Sequence, residues 1–527
     1  MAKLSNEQEM LQKIIDMGAR LSTEPNIEKL LELILELSQS LIQADGGTLY
    51  RLTEDNTLRF AMVRNHKLNI AMGGENNPAI DTTKMMDLPL SIDGKPNHKA
   101  VAAYAANTKE TVVIEDAYTA EGFDFSGAKR FDEAMGYRTQ SVLAIPLIDH
   151  EGKILGVLQF INALNEDKET IPFSKFFQDI AQSLASQAAI SLRNRLLINQ
   201  LNELFEALIN LINTAIDEKS PYTGGHCMRV PDLTLMIAEA THRENEGPMA
   251  DFKLEDKDRY ELKIAGMLHD CGKITTPVHV VDKGKKLETI YDKIGLIETR
   301  FESLLRDSTI RYYQGLQEGK SPADKLKQSY EEEQAQIRDD ITFLKKCNVG
   351  GERMKEDDIA RIQAIATYQW TDHEGQLQPA LSEDEVYNLS IVAGTLTKEE
   401  REIINHHIVA TIKLLNQIPW PEHLKNVVEY AGGHHEKMDG TGYPNQLKRE
   451  DMSVQARCMG IADIFEALTA SDRPYKKGMP LSQSLKIMGR MKEEAHIDAD
   501  LFDIFVKQKI YMDYANKFLG PEQIDID

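Results

Sequence analysis

The spacing of apolar and polar positions changes character twice along the chain. At the start, Ile27, Leu30, Leu31, Ile34 and Leu37 recur at helical spacing, and this helix leads into Gly46-Gly47. Apolar runs at Thr48–Leu52 and Leu58–Val63 then flank Glu54-Asp55-Asn56 and predict a hairpin. A second hairpin is predicted by Val142–Ile148, the turn residues Asp149-His150-Glu151-Gly152, and Ile154–Ile161. Helix signals mixed with hairpins predict an α+β domain with an antiparallel sheet.

From Phe173 to Ser220 neither Gly nor Pro occurs, a stretch of about 70 Å as one helix. In its second half Leu197, Leu201, Leu204, Leu208, Leu211 and Ala215 are spaced alternately by four and three. That is a heptad seam suited to a parallel dimer, and the same stripe also suits packing onto a neighbouring domain of its own chain. Helical patterns continue to the C terminus. Residues 288–395 are rich in charge, with helical runs at Ile294–Leu316, Lys325–Lys346 and Glu356–Ala366 and the turn signals Gly315, Gly319 and Ser321-Pro322 between the first two. They read as a helical hairpin inserted into the surrounding region, a solvated arm whose charges face water.

Composition narrows the classes. At 527 residues the chain is too long for one small domain, and 42% hydrophobic with 28% charged residues fits globular material. No apolar run approaches the ~20 residues of a membrane span, and the Met-Ala-Lys-Leu start lacks a signal-peptide core, so a cytoplasmic protein without membrane insertion is expected. A net charge of −23 argues against binding DNA or anionic membranes. An anionic ligand must therefore meet local positive charge or metal. Cys227, Cys271, Cys347 and Cys458 show no CxxC spacing, which fits a reducing compartment and excludes a thiolate zinc site. Cys271 and Cys458 read as small buried side chains.

The chemistry concentrates on histidine and aspartate. His269-Asp270-Cys271-Gly272-Lys273 follows the apolar run Leu262–Leu268. Imidazole nitrogen and carboxylate oxygen suit iron, manganese or zinc, and a carboxylate can bridge two ions. Further candidates are His226, His407, His434, His435 and Asp463. Thr397 and Glu400 form a capping box that starts the helix bearing His407. On that helix His406 and His407 point about 100° apart, so one of them serves an ion, and His407 is taken as that one.

The ordered segments YTGGHCMRV, HDCGK, LTKEEREIINHH, HHEKMDGTGYP and ADIFEALTASDRPYK resemble the HD-GYP family of HD-superfamily metal phosphohydrolases, with Gly442-Tyr443-Pro444 as the signature. The segment SVLAIPLIDHEGKILGVLQFINAL from Ser141 to Leu164 resembles a GAF domain. The two resemblances imply a multidomain chain: a GAF-like sensor domain at 1–172, a connecting signalling helix at 173–220, an all-α HD-GYP catalytic domain at 221–287 and 396–527, and a helical insertion at 288–395.

The HD-GYP resemblance further implies two divalent metal ions, iron or manganese. His226, His269, Asp270 and Asp463 match the ligands of one ion, and His407, His434 and His435 those of the other, with Asp270 bridging. Two such cations can activate water and neutralise charge building on a phosphoryl group. Asp270 and Lys273 match the catalytic positions, and Lys273, Arg473 and Lys476 could grip phosphate oxygens. Tyr443 either stacks on a base or packs structurally, and Gly440, Gly442 and Pro444 shape its loop. The implied activity is hydrolysis of cyclic di-GMP to pGpG or on to GMP, regulated by the GAF-like domain in a parallel homodimer. Two alternatives stand beside it: a phosphodiesterase for cyclic GMP-AMP, and a weakly catalytic signalling protein that holds metal or cyclic dinucleotide and acts through partners. Two departures from the family pattern stand out. Ile408 follows His407 where the family has Pro, and Tyr222 stands where some members carry a Glu for a third metal. The GAF ligand is unidentified, and the lack of any Cys before Cys227 excludes a thioether-linked tetrapyrrole there.

Overall fold

The computed structural model describes residues 2–83, 85–219, 225–319, 321–350, 353–471 and 478–526, with side chains from residue 12 onward. It falls into two compact units, Met1–Phe205 and Glu206–Asp527.

In the first unit, Asn26 caps the helix Ile27–Leu41 by accepting hydrogen bonds from the amides of Glu28 and Lys29. The apolar stripe of that helix, Leu30, Leu31, Ile34 and Leu35, is buried against an eight-stranded sheet. Along the sheet the strands run Ile70–Gly73, Thr57–Asn65, Ala44–Leu52, Ile154–Leu164, Val142–Ile148 and Val112–Ile114, all neighbours antiparallel. Both predicted hairpins are present, and Gly46 and Gly47 lie inside a strand rather than at a break. Alternation along Val142–Ile148 divides the core between the two faces: Leu143, Ile145 and Leu147 join the cluster under Ile27–Leu41, while Val142 and Ala144 join a second cluster with Val101, Ala102 and Ala105. The first face is also covered by the start of a 45-residue helix, Lys175–Lys219, through Leu184, Ala185, Ala188 and Leu192.

The later part of the same helix belongs to the second unit. Ile209, Asn213 and Ile216 are buried there, and Lys219 donates to the backbone carbonyls of Lys273 and Ile274. Leu197, Leu201, Leu204, Leu208 and Leu211 lie on another face and are 41–65% exposed.

The rest of the second unit is mostly helical. His226–His242 packs between Val454–Thr469 and Asp256–Leu268, and Lys398–Leu415 packs on the short 3-10 turn Cys271–Thr275. Between them, Ile294–Glu318 and Ala323–Asn348 form the expected pair of charged helices, followed by Glu356–Ile365. Two features depart from a bare solvated arm. The segment has its own core, including Ile297, Phe301, Leu304, Ile337, Leu344, Ile362 and Leu389, and it contains a two-stranded sheet, Gln369–Thr371 with Leu377–Pro379. Trp370 and Tyr368 pack against that core, so apolar residues scattered at wide spacing assemble once the helices meet. Buried Lys286 ties the segment together by donating to the carbonyls of Leu389 and Ile391 at 2.9 and 2.7 Å. Among the described residues no helix is long and apolar enough to cross a membrane.

Close approach in the sheet yields a test. A Cβ on Gly156 would lie 2.0 Å from the carbonyl oxygen of Tyr50 on the adjacent strand. Gly156→Ala is expected to destabilise the first unit by about 1–3 kcal/mol through forced backbone shifts. Hydrogen exchange of the amides in 44–52 and 154–164 should speed up accordingly, and unchanged protection would contradict this packing.

Candidate metal centre

Five histidines and two aspartates, contributed by segments far apart in sequence, converge in the second unit. His226 is the first residue of His226–His242, and His269 and Asp270 follow directly on Asp256–Leu268. His407 lies on Lys398–Leu415, His434 and His435 follow Val427–Gly432, and Asp463 lies on Val454–Thr469. The Thr397 and Glu400 capping box is formed as predicted, with the Glu400 amide donating to the Thr397 hydroxyl and the Thr397 amide to Glu400. Glu400 also receives the buried ammonium of Lys283 at 2.7 and 2.8 Å, which fixes the start of the helix carrying His407. His407 is buried on the cluster side of this helix, and His406 is exposed.

The ligand-type atoms fall into two sets, His226 with His269 and Asp270, and His407 with His434 and His435. Asp270 lies between them. Its Oδ2 is 3.2 Å from Nε2 of His226 and 3.4 Å from Nε2 of His269, while its Oδ1 is 3.2 Å from Nε2 of His407. Asp463 Oδ1 adds to the first set, 3.2 Å from His226 and 3.8 Å from His269.

Whether this cluster fits cations can be tested on the imidazoles. His269, His407 and His434 each place Nδ1 2.6–2.7 Å from the carbonyl three residues earlier, of Gly266, Ile404 and Ala431. Donation there leaves Nε2 as a bare lone pair. Yet Nε2 of His269 lies 3.2 Å from Nε2 of His226, and Nε2 of His407 lies 3.3 Å from Nε2 of His435. The buried Nε2 of His434 has no hydrogen-bond partner among the described residues. An unsatisfied buried polar atom costs about 1–3 kcal/mol. Converging lone pairs and carboxylate oxygens are what divalent cations bind, so the residues present fit a pair of ions.

The protonation tendencies agree with that fit. Burial disfavours charge on Asp270, but Lys273 and the histidines around it outweigh burial and hold its carboxyl well below the usual range. Burial likewise opposes charge on Asp463, and His226 and His269 override it. Burial pushes His434 well below its usual range and His435 down to about 4, which keeps both neutral and able to offer lone pairs. His226 behaves oppositely: burial lowers it, but Asp270, Asp463 and Glu466 together raise it well above its usual value. Its position calls for positive charge.

Around the cluster, Lys273 places its ammonium 2.5 Å from Oδ2 of Asp270, so here it faces the carboxylate expected to bridge the ions. Tyr443 stacks on His435, with ring centroids 4.9 Å apart and planes inclined by 21°. Buried Glu436 accepts the amides of Asn445 and Leu447 and so holds the loop containing Gly442-Tyr443-Pro444. Cys271 and Cys458 are buried and free, and burial pushes the Cys271 thiol up to about 11. Arg473, Lys476 and Tyr222 lie outside the described residues. Sequence reasoning passed over Glu466, whose buried carboxylate is 2.5 Å from Nδ1 of His226. The available signal was its place three residues after Asp463, which puts both carboxylates on one helix face.

Gly272 has a steric role in this assembly. A Cβ there would lie 2.0 Å from the carbonyl oxygen of His407 and 2.5 Å from the amide nitrogen of Thr411, and the Gly272 amide donates to the Thr411 hydroxyl at 2.9 Å. Gly272→Ala is expected to lower the stability of the second unit by about 1–3 kcal/mol. Urea unfolding followed by tryptophan fluorescence reads this unit alone, since both tryptophans, Trp370 and Trp420, lie in it. A midpoint equal to the parent's would contradict the close approach.

Comparison with known proteins agrees with the two-unit division. The GAF domain family matches residues 26–192, and HD domain families match residues 223–348 and 383–501. The 3'3'-cGAMP-specific phosphodiesterase 3 of Vibrio cholerae is 37% identical over 299 residues, covering 56% of this chain and 37% of that protein. The 3'3'-cGAMP-specific phosphodiesterase 1 of the same organism is 40% identical over 81 residues, 15% of this chain and 19% of that protein. A cyclic di-GMP phosphodiesterase of Pseudomonas aeruginosa is 36% identical over 114 residues, 22% of this chain and 26% of that protein. The match thus spans between about a fifth and somewhat over a third of the length of these relatives. Taken with the sheet-and-helix first unit and the mostly helical second, these matches show a chain that joins a GAF domain to HD-domain segments and is similar to cyclic dinucleotide phosphodiesterases.

Proposed function

We propose that this chain is a metal-dependent phosphodiesterase that opens a cyclic dinucleotide, with cyclic di-GMP as substrate and pGpG or GMP as product. The observation that carries the reading is the position of Asp270, with one oxygen toward each histidine set. His226, His269, Asp270 and Asp463 would hold one ion, and His407, His434, His435 and Asp270 the other. When bound, the two ions, iron or manganese by the nature of these donors, supply Lewis-acid charge against the phosphodiester and activation of water. The chain's own groups supply the rest. Burial of the imidazoles excludes bulk water, and the carbonyl acceptors hold the rings of His269, His407 and His434 in one tautomer. Lys273, which faces Asp270, would be released from that carboxylate if an ion were held there and would then be available to a phosphate oxygen. Arg473 and Lys476 are assigned to the same task, and Tyr443 to the face of a base.

A second reading has its own support: a relative that matches 56% of this chain is named for 3'3'-cGAMP. Turnover of both cyclic dinucleotides by metal-analysed protein separates the two. Asp270→Ala is expected to lose both ions and all hydrolysis, whereas full activity of metal-free protein would sink the reading.

In this proposal residues 1–172 are the sensor, 173–220 the signalling helix, 221–287 with 396–527 the catalytic domain, and 288–395 the insertion. The protein works in the cytoplasm, where its four free cysteines stay reduced. The exposed leucines at 197, 201, 204, 208 and 211 form the seam of a parallel homodimer, since so continuous an apolar stripe is costly to leave in water. A GAF ligand regulates catalysis if it favours one arrangement of that helix, whose end contacts the carbonyls of Lys273 and Ile274. Leu204→Glu or Leu208→Glu places like charges across the seam, and sedimentation should then report monomers. Variants as dimeric as the parent would remove the seam from this account.

A further inference from the structure

His226 differs from the other imidazoles of the cluster in how it is held. His269, His407 and His434 each use the carbonyl three residues earlier as the Nδ1 acceptor. His226 is the first residue of its helix. Its acceptor comes from another helix, 240 positions along the chain: Oε2 of Glu466, 2.5 Å from Nδ1. The other oxygen, Oε1, receives Nε of Arg229 at 2.8 Å and its second nitrogen at 2.6 Å. Arg229 lies three residues after His226, one turn along the same helix face. The Glu466 side chain is fully buried.

We infer that Glu466 is the positioning carboxylate of this centre, orienting His226 so that Nε2 points at the ion shared with His269 and Asp463, with Arg229 supplying the counter-charge. Two geometric points carry it. A carboxylate at Nδ1 fixes the tautomer in which Nε2 has the lone pair, and it makes the imidazole a stronger donor than a neutral carbonyl does. An isolated buried carboxylate is costly, and here Glu466 is matched by one imidazole and one guanidinium. With its two oxygens engaged by His226 and Arg229, Glu466 acts through His226. The inference rests on the two-ion reading above and adds an asymmetry to it, because His226 has an anionic support where His407 and His434 of the other set have backbone carbonyls.

The test is calorimetric titration of chelator-stripped, full-length protein with Mn²⁺, which needs no substrate. The parent is expected to take up two ions. In Glu466→Gln, the amide has a single acceptor oxygen and cannot serve both His226 and Arg229. One of the two ions should bind about 10- to 100-fold more weakly, with the other unchanged. His226→Ala should weaken the same ion, and Glu466→Gln combined with His226→Ala should be no weaker than His226→Ala alone, whereas a purely structural role would make the losses add. Glu466→Asp keeps the charge with a shorter reach and should fall between parent and Gln, which provides the measurement should the Gln variant fail to fold. Parental affinity in Glu466→Gln, or additive losses in the double variant, overturns the positioning role alone. A parent that takes up no Mn²⁺ overturns the two-ion reading and this inference with it.

Discussion

Asp270 has two oxygens that look in different directions, and the second unit is organised by that fact. Oδ2 is directed to His226 and His269 and Oδ1 to His407. A carboxylate only 2% exposed is tolerated only where positive charge compensates it. The protein meets this need with Lys273 at Oδ2 and with imidazoles on both sides, so helices that begin or end near Asp270 must do so in fixed relation to each other. The helix pairs His226–His242 with Val454–Thr469, and Lys398–Leu415 with the turn Cys271–Thr275, are the packing expression of that requirement.

The same economy governs the surrounding polar groups. Glu400 closes the capping box of its helix and at once accepts the buried ammonium of Lys283, so one carboxylate satisfies a helix terminus and a lysine. Glu436 does the equivalent for the loop bearing Tyr443 by accepting two backbone amides. In each case a buried or half-buried carboxylate is matched by more than one donor, which is the condition for a polar group to rigidify a fold rather than weaken it.

Much of this was legible in the linear pattern. Leu30, Leu31, Ile34 and Leu35 declare the buried stripe of their helix, and the alternation in Val142–Ile148 declares a strand with two covered faces, because local periodicity maps directly onto burial. The Thr397 and Glu400 box is equally local. The resemblance to HD-GYP proteins singled out the histidines, and the fold brings them together. What escaped detection depends on contacts between distant residues. Glu466 has no meaning until His226 is placed beside it, and the core of the inserted segment draws on Phe301, Ile337, Ile362 and Leu389, whose spacing shows no single period. The strand at Gln369–Thr371 is three residues long, too short to leave a recognisable alternation.

Gly272 carries a consequence of a different kind. Because it lacks a side chain, the turn after Asp270 rests directly on the main chain at His407 and Thr411. The separation between the two halves of the histidine cluster is therefore gauged by backbone against backbone, not by the size of any packed side chain. Apolar residues elsewhere in this unit can drift over evolutionary time, exchanging one aliphatic for another, without altering that gauge. That dimension is thus insulated from the sizes of the surrounding core side chains and hinges on one position that lacks a Cβ.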